Sequence, residues 1–392
     1  MLGAIYIGLS GLSAYQKGLT AVSNNVTNLN SSGFKASDVS FSDVYGTKGG
    51  NGLAYAGNAQ GGGNGVTFGG STINFAQGEL RSTGRDLDLS VDGAGFLVLM
   101  DGSDLSYART GSFSVNEDGF IVLQGTDLKL ATLGDSGAPV ALNIDSVRTG
   151  KPAPTTRIAF SDNLSSTATN FSIGDVKVYD KAGKEHVWQI AFTKNPDQPD
   201  SWTVKVTDGD SKKIGTQLLR FKNGVIDPET AKLQFGSDKN GPKVIFDFSE
   251  NVSSYSSGEV SSLRTASVDG HGVGSISRLN INAEGHVEIA YSNGEKADLG
   301  AVAIADFRDL AALEQLGGGR FEYKGHGQQS FLASGDPRVG HVVSGRLEAS
   351  NVDLGAQFGD LILIQRGFQA SSQIVSVSND MIQQLFGIRG QG

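Results

Sequence analysis

The sequence predicts a mainly β chain with an α-helix at each end, the two helices forming a coiled-coil-like terminal domain and two discontinuous or inserted β domains lying between them. Three observations carry this. Apolar residues near both ends recur at three- and four-residue steps, the period of a helix with one apolar face. Interior segments alternate apolar and polar residues between short Asx-Gly and Glu-Gly turns, the pattern of half-buried strands and hairpins. Glycine fills 55 of 392 positions without a Gly-X-Y period, which excludes collagen and leaves turns and connectors as its use.

The first helix is read from Ile5, Leu9, Leu12, Leu19, Val22, Val26 and Leu29, and the polar run Asn28–Gly33 ends it, with Gly33 at C′. In the last helix Leu354, Leu361, Phe368, Val375 and Ile382 share one heptad position. Phe358 and Phe386 lie on a companion seam that Gln365, Ser372 and Asn379 make polar. Ser350 to Asp353 has the spacing of a capping box before it. Gly8, Gly11, Gly18, Gly359 and Gly367 interrupt these helices at a cost of about 1 kcal/mol each relative to Ala. Such helices need partners. Their positions at opposite chain ends, with a Gly/Asn-rich stretch from 46 to 70 after the first, point to partners in other copies of the chain.

Between the helices, DLDLSV from Asp86 to Val91 alternates as a strand with Asp86 and Asp88 on a solvated face. Turns are expected at Asp92-Gly93, Asp101-Gly102, Asp118-Gly119, Asn223-Gly224, Glu284-Gly285 and Asn293-Gly294, and a short helix over Phe307–Leu316. Composition breaks divide the chain. Residues 1–32 and 351–392 form the helical assembly domain and 33–70 an extended linker. Residues 71–148 and 274–350 form an inner β domain, and 149–273 an inserted outer one.

Chemistry is sparse. A net charge of −9 argues against nucleic acid or an anionic membrane as a partner, and the absence of Cys excludes disulfides, thiolate metal sites and cysteine nucleophiles. No apolar run approaches the ~18 residues of a membrane span, and the N-terminus lacks the form of a secretory signal, so these features alone describe a soluble intracellular chain. His286-Val-Glu288 matches half of a zinc-deaminase motif without its Cys ligands, and reads better as two outward residues on a strand whose Val287 and Ile289 face inward. The five His residues have no metal-ligand spacing, and the Gly-rich Gly61–Gly65 lacks the Lys-Ser/Thr of a phosphate loop. No cofactor, metal or catalytic constellation is expected.

Three blocks then resemble the bacterial flagellar axial proteins: GLSGLSAYQKGLTAVSNNVTNLNSSGFKA (8–36), FAQGELRSTGRDLDLSVDGAGFLVL with YARTGSFSVNEDGFIVL (75–123), and SGRLEASNVDLGAQFGDLILIQRGFQASSQIVSVSNDMIQQLFGIR (344–389). The middle block looks like the rod–hook branch, and the domain-sized insert favours its hook members over the shorter distal rod proteins. The resemblance implies a structural subunit that polymerises with itself into a flexible helical tube transmitting torque. The assembly interface would be Ile5, Leu9, Leu12, Leu19, Val22, Val26, Leu29, Leu354, Phe358, Leu361, Phe368, Val375, Ile382 and Phe386. It also implies contacts with the distal rod protein, the hook–filament junction protein, the hook cap protein and the flagellar type III export apparatus, and an extracellular location reached without a cleaved signal peptide. The alternatives are a rigid distal rod subunit and a non-flagellar surface-binding β protein.

Overall fold

The computed structural model describes residues 2–44, 65–198, 200–237, 241–327 and 329–389. Most of the expected linker's centre and all but the last residue of Gly61–Gly65 lie outside them. The chain divides into two units, one of 1–145, 279–288 and 298–392, the other of 146–278 and 289–297. The second unit therefore begins slightly before the insert read from composition, and it also takes residues 289–297 with the Asn293-Gly294 turn.

In the first unit, helix α1 (Leu2–Thr27) and helix α2 (Leu354–Arg389) run against each other. This is the coiled-coil-like terminal domain expected of the two ends, and the first partner of each helix lies in the same chain rather than in another copy. The linker expectation is corrected: strands β1 (Ser37–Asp43) and β2 (Val66–Ile73) pair antiparallel and pack on α1, with the Phe41 ring 5.4 Å from that of Tyr15. Alternation in β1 is only a few residues long and its partner lies beyond a Gly/Asn-rich stretch, so little in the sequence announces the pairing.

The β part of this unit is a large, mostly antiparallel sheet. Its buried side chains form two clusters, an aliphatic one around Leu89, Val91, Leu97 and Leu99 and an aromatic one around Phe96, Tyr107, Phe307 and Phe321. The strand Asp88–Asp92 lies between Thr110–Val115 and His341–Ser344 rather than at an edge. Asp88 is consequently buried and 3.7 Å from Arg85, not on a solvated face. Asp92-Gly93 does not close a hairpin between consecutive strands. Gly93 has φ +145°, and its Cα side is occupied by the Gly340 backbone, so any Cβ would collide there. Phe307–Leu316 holds one 3-10 turn, Leu310–Ala312, capped by Asp309, followed by strand Leu313–Gln315. Val287 and Ile289 face inward from His286–Tyr291, as their alternation predicts.

The second unit is a ten-stranded sheet over a dense core. Four long strands, Asn170–Tyr179, Glu185–Lys194, Ser201–Asp208 and Lys213–Lys222, form a meander. Trp188, Ile190 and Phe192 point inward from one and Trp202, Val204 and Val206 from the next, the period-two alternation of a half-covered sheet. They meet Phe160, Phe235, Phe246 and Phe248, with Phe160 stacked on Phe248 at 4.4 Å. Asn223-Gly224 closes a two-residue hairpin with both residues at positive φ, the type I′ geometry that Asn-Gly favours.

Candidate assembly interface

The seam between α1 and α2 is made mostly of small and polar residues, with Val22 and Ile364 as its larger apolar members. On α1 the buried positions are Gly8, Gly11, Ala14, Gly18, Val22 and Asn25, and on α2 they are Gln357, Ile364, Ser371 and Ser378. The glycines are what permit the approach. A Cβ at Gly8 would lie 2.7 Å from a Val375 methyl, one at Gly11 2.5 Å from the Ser371 Oγ, and one at Gly367 2.5 Å from the Tyr15 ring. A Cβ at Gly18 would meet Phe41 of β1 at 2.8 Å and Ile364 at 3.3 Å. Four of the five glycines read in the sequence as interruptions are thus part of the contact, while Gly359 is exposed with nothing against it.

At the far end of the seam Asn25 is fully buried and satisfied. Its Nδ2 donates to Gln357 Oε1 and to the Ser37 carbonyl, both at 2.9 Å, and its Oδ1 accepts from the Ser37 N–H at 2.9 Å. Beyond α2's start the cap is Asp353, whose Oδ1 accepts from the Gly355 and Ala356 N–H groups at 2.8 and 3.1 Å. This corrects the capping box. Ser350 lies one turn too early, and its hydroxyl accepts only from the Val352 N–H at 3.4 Å. The first helix likewise stops at Thr27, before the expected end, and Gly33 at φ +70° serves the following turn, its N–H donating to the Glu348 carbonyl.

With the seam filled by small residues, the large apolar side chains turn outward. Of the residues singled out in the sequence, only Val22 is fully buried. Ile5, Leu12, Leu19, Val26, Leu361, Val375 and Ile382 are half-buried, and so is Leu29, against Phe34, Ala36 and Val352. Leu9, Leu354, Phe358, Phe368 and Phe386 stand exposed, Phe386 by 70%. The companion seam through Phe358 and Phe386 therefore faces solvent, one position away from the buried line Gln357, Ile364, Ser371, Ser378. Tyr6, Ile7, Ile362, Leu363, Ile374, Val377, Met381 and Leu385 are exposed as well. Isolated exposed apolar residues are ordinary, but so many large ones along two paired helices are the composition of a contact surface. Neither helix is long and apolar enough to cross a membrane.

Where the helix pair meets the sheet, three charged residues are buried together. Lys35 and Glu348 are fully buried, Arg109 nearly so. Glu348 Oε1 accepts from Lys35 Nζ at 2.6 Å and from the Gly78 N–H at 2.7 Å, and its Oε2 accepts from Arg109 Nε at 3.3 Å. Lys35 also donates to the Ala76 carbonyl at 2.7 Å. The Arg109 guanidinium donates to the carbonyls of Gly93 and Gly95, so the Asp92–Gly95 turn wraps around it. Burial pulls both cations below their ordinary pKa, and the Glu348 carboxylate opposes that pull. One carboxylate thus ties the chain leaving α1 to the chain entering α2. Nothing in the spacing of these three residues, 35, 109 and 348, foretells their meeting.

Comparison with known proteins is concordant along the chain. Residues 5–35 match the family described as "Flagella basal body rod protein", residues 142–301 "Flagellar basal body protein FlaE D2 domain", and residues 343–388 "Flagellar basal body rod FlgEFG protein C-terminal". Flagellar hook protein FlgE of Borreliella burgdorferi is 27% identical, with 99% of this chain and 100% of the relative covered. The FlgE proteins of Salmonella typhimurium (27%) and Escherichia coli K12 (28%) align over 97% of this chain and 98% of their own lengths. With the terminal and central family segments in order and hook relatives aligned almost end to end, the chain is similar along its whole length to flagellar hook proteins.

Proposed function

We propose that this chain is the structural subunit of a flagellar hook, polymerising with itself into a flexible helical tube that carries torque from rod to filament. Its role is mechanical, not enzymatic. The observation that carries the assembly reading is the inverted character of the helix pair, small residues inside and Leu9, Phe358, Phe368 and their neighbours outside. In the polymer those side chains would be covered by adjacent copies around a central channel. Each fully buried Leu, Ile, Val or Phe contributes roughly 1.5–3 kcal/mol before ordering costs. The interface would comprise the outward residues of both helices, including Ile5, Leu12, Leu19, Leu361, Val375 and Ile382 beside the exposed ones. The β-rich remainder would form the outside of the tube and take up its bending. A contact between different surfaces of successive copies propagates without closing when it includes a rise.

In this reading the tube joins the distal rod protein at one end and the hook–filament junction protein at the other. It grows under a cap protein, from subunits delivered by the flagellar type III export apparatus without a cleaved signal. Electron microscopy of polymers grown from the purified chain tests the proposal. Curved tubes are the expected result. Straight rigid tubes would point to a rod subunit, and failure to polymerise across salt and precipitant conditions would overturn the assembly reading.

A further inference from the structure

The helix pair is almost free of charge. Among the described residues 2–34 the one charged side chain is Lys17, and along α2 through residue 386 they are Asp360, Arg366 and Asp380. All four are exposed, and among the described residues none forms an ion pair within its own chain. The antiparallel packing of Tyr15 against Gly367 and Gly18 against Ile364 sets Lys17 and Arg366 at one level, one cation on each helix, a positive band in the axial direction. With a rise of about 1.5 Å per residue, Asp360 lies about 9 Å from Arg366 toward one end and Asp380 about 21 Å toward the other. Arg366 and Asp380 each follow a buried seam residue, Ile364 and Ser378, by two positions, which puts both on the side of α2 away from α1.

Two copies laid side by side without axial offset would bring positive band against positive band and each acid against its counterpart. In a contact that excludes water, like charges so placed oppose association, while opposite charges fix the register. We propose that these few charges set the axial register between neighbouring copies, the Lys17/Arg366 band of one copy meeting Asp380 of the next. The offset this requires makes a helical rise, rather than a flat ring, the arrangement in which the charges are matched. The partner is a second copy of this chain, and the inference rests on the assembly reading above.

Polymerisation of the full-length chain tests it, read as the lowest concentration at which tubes form. Asp380→Arg and, separately, Lys17→Glu with Arg366→Glu are each expected to raise that concentration at least tenfold. The three changes combined in one chain should restore it to within about threefold of wild type, and Asp360→Arg should have little effect. Helix circular dichroism of the free variants, unchanged from wild type, would show that the loss is not one of folding. Wild-type assembly by Asp380→Arg, no rescue by the combination, or rescue only when Asp360 replaces Asp380 in it would each overturn this register. Absence of polymer from the wild-type chain would instead sink the assembly reading itself.

Discussion

The core of the second unit and the seam of the helix pair solve the packing problem in opposite ways. The unit buries Trp188, Trp202, Phe160, Phe192, Phe246 and Phe248 inside one chain, and its sheet strands show the simple in–out alternation of a finished fold. The helix pair puts Gly8, Gly11, Gly18 and Ser371 inside and its bulky side chains outside. One region uses its apolar surface up; the other keeps most of it available. The contrast teaches that close backbone approach can hold two helices together without consuming the residues that a polymer would need.

The two regions can be separated experimentally, because both Trp residues of the chain lie in the second unit's core while the long helices dominate circular dichroism. Glu348→Gln leaves Lys35 and Arg109 buried without a countercharge and is expected to destabilise the first unit by about 3–5 kcal/mol. Helix unfolding should move to lower denaturant while the Trp fluorescence midpoint stays. Phe246→Ala, which empties part of an aromatic cluster, should cost a similar 3–5 kcal/mol and produce the mirror result, a fallen Trp midpoint with the helix transition in place. If either variant shifted both transitions equally, the contrast between the regions would not hold.

Gly18→Leu gives a smaller effect with two opposed parts. Helix propensity gains about 1 kcal/mol, while a side chain driven against Phe41 and Ile364 costs about 1–3 kcal/mol. A net loss of helical stability is expected, and a gain would show that the seam tolerates bulk. Phe368→Asp lies at the small end for the free chain. The side chain is exposed, so stability should change by no more than about 0.5 kcal/mol. Polymerisation, by contrast, should be abolished, because the new charge would be buried without a partner. Normal tubes from that variant would remove Phe368 from the interface.

What the sequence discloses follows from which physical signals repeat. Helical periodicity at both ends and alternation in segments such as Glu185–Lys194 identify the elements, since each signal recurs over many residues. The inner stripe of α1 escapes the same reading because its members are glycines, which hydrophobic templates count as breaks although here they are the surface of contact. On α2 the apolar heptad through Leu361, Val375 and Ile382 flanks the seam, but the buried line beside it holds Gln357 and two serines, a pattern without hydrophobic contrast. The Lys35–Glu348–Arg109 cluster is hidden for another reason. Charged residues look solvated until the fold brings distant segments around them, and Glu348 lies 239 residues from Arg109 and 313 from Lys35. Asp353 displaces Ser350 as the cap by one turn, a difference that only the helix start can settle.

The hydrogen bond between Asn25 and Gln357 spans 332 residues of chain. A polypeptide interrupted anywhere before Gln357 would leave a buried amide without its partner and a glycine stripe with nothing against it. The outward apolar surface of α1 is therefore held in a fixed direction only once the opposite end of the chain has been made. A chain ending before Gln357 would therefore lack both the amide contact and the helix face that fix α1 in place.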